Sequence, residues 1–367
     1  MGILKQNMKN KTIKEKTKFF LSKKLHRPLC PPRNVTLTLN YLCNQRCIMC
    51  DIKEHAFDKS CEIRPEEIKR IIDEMVAMDI PELVITGGEP FLYKDIFEVI
   101  AYGKQRGRKI VMITNGFYSD KIVDPIIRSG IDHLQISLDG SNKEIYEKIR
   151  GAEGSFDIVT NNIKKLTQSG KSVGVTATLV KQNYRDLVNI TRLAKDLGCS
   201  RLALRPAHIS NADPLSRDFL NSPFWIPQEE IPVLREVLTE LKKINEKTNF
   251  IDFQPGLELL ADYFENGYLP GLKSCYIGFT RLIISYDERG SYGVWMCGGM
   301  AGDIRKMSLR EIWNGKEATV LRRKIAQCKK ACLFPESHEP DLENLGTFMA
   351  TVMKLVKTPE SEGKACR

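Results

Sequence analysis

Three cysteines stand within one short stretch, Cys43-Asn-Gln-Arg-Cys47-Ile-Met-Cys50, at C-x3-C-x2-C spacing. Structural zinc prefers four ligands, commonly in paired C-x2-C units, and a fully ligated iron–sulfur cubane also takes four thiolates. Three thiolates on one tight loop suit three irons of a [4Fe–4S] cluster, with an open position on the fourth where a small molecule can coordinate. The competing assignment is a zinc site completed by a distant cysteine or by His55. A second group comprises Cys275, Cys297, Cys328 and Cys332. The runs Leu282–Ser285 and Val294–Cys297 predict a hairpin that returns Cys297 towards Cys275, and Ser308–Asn314 opens a helix that delivers Cys328-x3-Cys332. Four thiolates fit either a closed iron–sulfur cluster or structural zinc.

The elements that must position the first group alternate regularly. Strands are predicted at Val35–Leu39, Leu83–Thr86, Lys109–Thr114, His133–Leu138, Val173–Val180 and Arg201–Leu204. Between and after them fall helices from Arg64 with Pro65 at its first position, then at Asp95–Gln105, Asp120–Ser129, Phe156–Gln168, Tyr184–Leu197 and 228–246. Six strand–helix units predict parallel strands with right-handed crossovers, too few for a full eight-stranded barrel but able to curl into a partial one. The cysteine loop follows the first strand, and the C-terminal ends of barrel strands are where active sites assemble.

Each later strand ends in groups suited to a small polar cofactor. Gly87-Gly88-Glu89-Pro90 ends the second; its glycines let backbone approach a ligand, and Glu89 can accept from an ammonium. Thr114-Asn115-Gly116 ends the third and Ser137-Leu138-Asp139-Gly140 the fourth, with Arg150 downstream able to pair with a carboxylate. GG and DG are ordinary loop sequences singly; at successive strand ends of one barrel they converge.

With these residues in view, positions 35–205 resemble the core of radical S-adenosylmethionine (SAM) enzymes. The resemblance implies an α/β fold, a partial (β/α)6 barrel with a small C-terminal α+β module. It implies Cys43, Cys47 and Cys50 as ligands of a [4Fe–4S] cluster whose unique iron is chelated by SAM. Gly87, Gly88 and Glu89 would hold the methionyl part, and Asn115 would lie beside it. Ser137 and Asp139 would contact ribose or carboxylate, Arg150 would pair with the SAM carboxylate, and Thr178 and Arg205 are further candidates. The residue before the third cysteine is often aromatic in the family; here Met49 stands there, able to pack on the adenine. The C-terminal group resembles SPASM/twitch auxiliary-cluster modules. Too few cysteines lie downstream for two clusters, so the one-cluster form with a second [4Fe–4S] group is expected on Cys275, Cys297, Cys328 and Cys332. A closed cluster suits electron transfer from a substrate radical. The family also implies an electron donor such as flavodoxin or ferredoxin.

Among the remaining cysteines, Cys61 follows the cluster loop and could face the active site as a hydrogen-atom donor, but a thiol there is more often just a loop thiol. Cys199 belongs to the core at the opposite barrel face, and Cys30 and Cys366 stand unattached. His208 and Asp213 could line the substrate mouth or simply be polar linker residues.

The net charge of +10 is local: residues 1–34 hold ten Lys or Arg and one acid, and the other 333 positions hold 46 basic and 45 acidic residues. That arm, with Ile13, Phe19, Phe20, Leu21 and Leu25 among its lysines, either binds an anionic membrane or acidic partner or packs its aromatic residues on the body. A near-neutral body without a recognised RNA-binding module weighs against nucleic-acid modification. No stretch approaches the roughly 18 apolar residues of a membrane span, and no secretory signal opens the chain, so a cytoplasmic protein, peripheral at a membrane at most, is expected. The organisation reads as a basic extension (1–34), barrel core (35–205), linker or lid with the sixth-unit helix (206–269), cluster module (270–335) and C-terminal helix with tail (336–367). A 34-residue segment before the first strand is short for a peptide-leader-binding domain, which tilts the expectation to oxidation or epimerisation of a small or carbohydrate-like substrate. Peptide or protein maturation is the alternative.

Overall fold

The computed structural model describes residues 15–50, 62–207, 221–252, 256–267, 275–286 and 291–327. A helix at 15–24 (α1) precedes the first strand, β1 (Asn34–Thr38). Then come α2 (Pro65–Ala77), β2 (Glu82–Thr86), α3 (Ile96–Gln105), β3 (Lys109–Thr114), α4 (Asp120–Arg128) and β4 (His133–Ser137). The chain continues with α5 (Lys143–Arg150), α6 (Ser155–Gln168), β5 (Val173–Leu179), α7 (Leu187–Asp196), β6 (Leu202–Pro206) and α8 (Ile231–Thr248). Last are β7 (Ile251–Asp252), α9 (Leu259–Asn266), β8 (Arg281–Tyr286), β9 (Tyr292–Met296), β10 (Gly299–Asp303), α10 (Leu309–Asn314) and α11 (Lys316–Gln327).

All ten strands form one sheet in the order β10-β9-β8-β1-β2-β3-β4-β5-β6-β7. β1 to β6 are parallel, as the alternation of elements predicts, and the register Thr38↔Thr86 brings the C-terminal ends of β1 and β2 level. Alternating Val35, Leu37, Leu83, Ile85, Ile110 and Met112 lie under helices carrying Ile68, Ile72, Val99 and Ile100, all buried in one continuous core. Helix α2 starts where Pro65 is tolerated, and Glu67 returns to accept from the Arg64 amide at 2.9 Å.

Two features extend the six-unit expectation. β7 adds in parallel beside β6, and β8, from the C-terminal cysteine segment, adds in parallel beside β1. The parallel part of the sheet therefore has eight strands. The hairpin expected from 282–285 and 294–297 is present as β8–β9. It is hydrogen-bonded into the barrel sheet through β8. Further ties cross the same seam: the Tyr41 hydroxyl donates to the Tyr286 carbonyl at 2.9 Å, and Arg305 reaches the buried Glu67 at 2.7 Å. Within the 206–269 stretch read as a linker or lid, Phe224, Trp225 and Ile226, ahead of the sixth-unit helix, are buried in the interior.

The basic arm is partly built into the fold. Phe19 of α1 is buried against Tyr276, Arg33 stacks over Phe19 at 4.7 Å, and Arg33 pairs with Glu15 at 3.2 Å. Its aromatic packing follows the second of the two readings given to it. No helix among the described residues is long and apolar enough to cross a membrane. His55, Cys61, His208, Asp213, Cys328, Cys332, Cys366 and the helix expected at 341–357 lie outside the described residues.

Candidate active site at the strand ends

The cysteine loop is held by main chain on two sides. On one, the amides of Gly88 and Glu89 donate to the carbonyls of Asn40 (2.8 Å) and Leu42 (2.7 Å). A Cβ on Gly88 would lie 2.0 Å from the Leu42 carbonyl oxygen, and one on Gly87, at φ +142°, would lie 2.6 Å from that of Asn40. The glycines therefore admit the cysteine loop itself, which is a different reason from the ligand approach expected of them. On the other side, the amides of Arg46 and Ile48 donate to the carbonyls of Arg150 (3.0 Å) and Ile149 (2.9 Å) at the end of α5. These two carbonyls belong to the last turn of α5, which is short of intrahelical partners. Gly151 (φ +59°) terminates α5 against Arg46, where a Cβ would meet backbone at 2.4 Å.

The side chains form two sets, each built on a buried carboxylate. Glu89, with no exposed surface, accepts from the Phe91 amide (3.0 Å), the Thr114 hydroxyl (2.8 Å) and the Asn115 amide (2.8 Å). It thereby fastens the end of β2 to the end of β3. Burial pushes its carboxyl up to about 7, opposed by those hydrogen bonds. Asn115 in turn donates from Nδ2 to the Asn44 side chain (2.7 Å) and to Cys43 Sγ (3.7 Å). Asp139, equally buried, pairs with Arg150 Nη2 at 2.5 Å and accepts from the Thr178 amide at 2.6 Å. Arg150 Nη1 donates to Cys47 Sγ at 3.6 Å. Burial alone would favour neutral Arg150, but the Asp139 carboxylate holds the guanidinium firmly charged.

Of the residues singled out in the sequence, Cys43, Glu89 and Asn115 thus fall in one set and Cys47, Asp139, Arg150 and the Thr178 amide in the other, the two meeting at the cysteine loop. Ser137 ends β4 opposite Thr176, and Arg205 Nη1 donates to the Leu204 carbonyl at 2.9 Å. Met49 packs with Ile48 and Ile145 on a small buried cluster of Ile149, Val180, Ala207 and Phe224. Cys199 is buried in the core, where its thiol is pushed up to about 12. Cys30 is half-buried beside Phe19 and Tyr276, with burial pushing its thiol to about 11. Cys275 is half-buried and Cys297 exposed. Sequence reasoning missed Asn40, which is buried; its side chain accepts from the Leu42 amide (3.1 Å) and its carbonyl from Gly88. It missed Asn44 and Asn183 too, the latter donating to the carbonyls of Asp139 and Thr178 at 2.9 Å. An Asn flanking a cysteine loop was the available signal.

The donor set fits an anionic iron–sulfur group. The thiols of Cys43 and Cys47 already face N–H donors of the kind that orient and tune thiolate ligands, and burial pushes the Cys43 thiol up so that a metal must displace its proton.

Comparison with known proteins gives the class. Residues 37–194 match the radical SAM superfamily, and residues 275–333 match the SPASM iron–sulfur cluster-binding domain. The chain thus carries a radical SAM domain followed by a C-terminal SPASM domain, and the two domains together imply [4Fe–4S] clusters and SAM as cofactor. Its relatives include the AdoMet-dependent heme synthase of Methanosarcina barkeri, 26% identical over 322 residues covering 82% of this chain and 87% of that one. The PqqA peptide cyclase of Granulibacter bethesdensis is 24% identical, covering 78% of this chain and 75% of its own. Among solved structures, Streptococcus suis SuiB bound to S-adenosylmethionine superposes with a TM-score of 0.63 at 13% identity, over 83% of this chain and 69% of that one. That likeness is one of fold.

Proposed function

We propose that Cys43, Cys47 and Cys50 hold a [4Fe–4S] cluster that binds SAM, and that the enzyme abstracts hydrogen from an unactivated C–H bond of its substrate. When bound, the cluster and SAM together supply a reductive cleavage that yields methionine and a 5′-deoxyadenosyl radical. The chain's own residues do the placing. The end of β2 and the last turn of α5 fix the cysteine loop, Asn115 and Arg150 face its sulfurs, and the strand ends keep the site within the sheet's C-terminal mouth. Gly87, Gly88, Glu89, Asn115, Ser137, Asp139, Arg150, Thr178 and Arg205 form the proposed SAM surroundings. For Glu89 and Asp139, the bonds already made favour a supporting role behind the residues that touch SAM. The observation that carries the proposal is the pair of N–H donors aimed at Cys43 and Cys47 on a backbone-clamped loop.

Cys275 and Cys297, with Cys328 and Cys332, are the proposed ligands of one auxiliary cluster, suited to taking an electron from a substrate radical. A small-molecule substrate is the first reading, supported by similarity to a heme synthase over most of both chains. Similarity to a peptide cyclase over three quarters of its length favours a peptide as the second. A reduced flavodoxin or ferredoxin is the proposed electron source.

The test is 5′-deoxyadenosine formation by anaerobically reconstituted enzyme with SAM and dithionite, beside a Cys43/Cys47/Cys50 triple-Ala variant. Iron should fall from about eight to about four per chain in the variant and product should vanish. Equal iron in both proteins would sink the ligand assignment. Stimulation of product by an iron porphyrin supports the first substrate reading, and stimulation by peptide alone reverses the order.

A further inference from the structure

The two N–H···S contacts have a consequence for electron uptake. Reducing a cluster adds one negative charge to it, and hydrogen bonds or positive charge at its sulfurs favour the reduced form. Arg150 brings both, through Nη1 at 3.6 Å from Cys47 Sγ, and Asn115 brings a neutral donor at 3.7 Å from Cys43 Sγ. Neither donor is free to swing. Asn115 is anchored through its amide to Glu89, its Oδ1 accepts from the Phe117 amide at 2.7 Å, and Nδ2 also meets Asn44. Arg150 is buried, its Nη2 is paired with Asp139, and its Nε has no hydrogen-bond partner among the described residues. The guanidinium so enclosed spans from Asp139 to the cysteine loop.

We infer that Asn115 and Arg150 are positioning residues that raise the reduction potential of the cluster on Cys43, Cys47 and Cys50, and that Glu89 and Asp139 act by holding these two donors against the sulfurs. The inference rests on the ligand assignment proposed above. It gives the buried carboxylates a role that does not require contact with SAM. It also makes Arg150 effective before SAM arrives, unlike a residue whose whole task is to pair with the SAM carboxylate.

The experiment is a reductive titration of the reconstituted enzyme without SAM, followed by electron paramagnetic resonance. SAM is added afterwards to a parallel sample to identify which cluster's signal responds to it. Wild type, Asn115→Ala and Arg150→Lys are compared, the lysine keeping a charge beside Asp139 while losing the second N–H arm. In both variants the midpoint of the SAM-responsive cluster should move to more negative potential, beyond the spread of replicate titrations, with iron content unchanged. An unchanged midpoint in both variants at full iron load overturns the inference. Should Arg150→Lys weaken SAM binding with its midpoint unmoved, Arg150 serves SAM alone and its part of the inference falls. If Arg150→Lys does not fold, Asn115→Ala decides, since it leaves the ion pair intact. Wild-type enzyme with no SAM-responsive cluster would overturn the underlying ligand assignment instead, a result distinguishable from an unmoved midpoint.

Discussion

Replacing Gly88 by alanine tests whether the cysteine loop is shaped by main-chain contact with the end of β2. The added Cβ would stand 2.0 Å from the Leu42 carbonyl oxygen, 2.5 Å from its carbon and 2.9 Å from the Tyr41 carbonyl carbon. All three are backbone atoms, so no side chain can rotate away. Reaching even a 3.0 Å contact needs a displacement of about 1 Å, and dispersion contacts between carbons prefer more. That movement breaks the Glu89-to-Leu42 bond of 2.7 Å and strains the Gly88-to-Asn40 bond of 2.8 Å. Two bonds at about 1 kcal/mol each, with about 1–3 kcal/mol for overpacking, give a loss of about 3–5 kcal/mol. Cys43 directly follows Leu42, so the displacement passes to the first ligand. Gly154→Ala is the control: its Cβ meets nothing within 4 Å, leaving only the strain of φ +72°, about 1 kcal/mol. Thermal melting and iron content after reconstitution are measured on both. Gly88→Ala should melt lower and retain about four irons instead of about eight, while Gly154→Ala loads fully. Full iron and a wild-type melt in Gly88→Ala would refute the clamp.

Three further outcomes follow from the geometry. Because burial raises Glu89 to about 7, the folded metal-free chain holds a proton there that the unfolded chain has released, so this contribution is full below about 4.5 and is lost as pH rises through 7. The loss amounts to about 3 kcal/mol at most, and urea midpoints from pH 5 to 8 should fall more steeply in wild type than in Glu89→Gln; parallel curves would refute it. Phe19→Ala empties a site against Tyr276 and should cost about 3 kcal/mol locally, seen as faster proteolysis and amide exchange across 15–24; unchanged protection would show that Phe19 does not dock α1. Arg322 is wholly buried over Trp313 at 4.3 Å, bonded through Nε to the Gly278 carbonyl, yet Nη1 and Nη2 have no hydrogen-bond partner among the described residues. Arg322→Met should therefore be neutral or stabilise the metal-free chain by about 1–4 kcal/mol, and a lowered urea midpoint would contradict this.

The barrel was legible because its signals are local. Six short apolar runs, four of them followed directly by Gly, Asn or Asp and separated by amphipathic helices, specify parallel strands without tertiary information. Helix α5 was not seen, being eight residues long with five charges, although Asn142 caps it and Gly151 ends it. That omission matters because its last carbonyls hold the cysteine loop. Arg150 and Asp139 were both visible as chemistry-bearing residues, but their pairing at 2.5 Å was not, since α5 must fold before the two can meet. The pairing of β8 with β1 joins segments some 240 positions apart, and no periodicity in either strand encodes the other. Sequence could place a hairpin there without telling which strand it would extend.

The backbone accounting of the cysteine loop bears on how the cluster is acquired. The carbonyls of Asn40 and Leu42 receive the Gly88 and Glu89 amides, the amides of Arg46 and Ile48 reach α5, and the Cys50 amide donates to the Cys47 carbonyl at 3.2 Å. From the opposite side, the buried Tyr292 hydroxyl of the C-terminal hairpin donates to the Leu39 carbonyl. In small zinc domains the metal supplies the folding energy, and the chain is disordered without it. Here these backbone groups of the loop are bonded to polypeptide, so the contacts that shape it do not need iron and the ordering entropy is met by the barrel's folding. The contacts from β2, α5 and β9 come from three separated parts of the chain. A fragment ending before residue 275 would lose the Tyr292 contact and the β8 edge while keeping all three cysteines. The site is thus a property of the barrel and the C-terminal domain folded together, and the ligands alone do not define it.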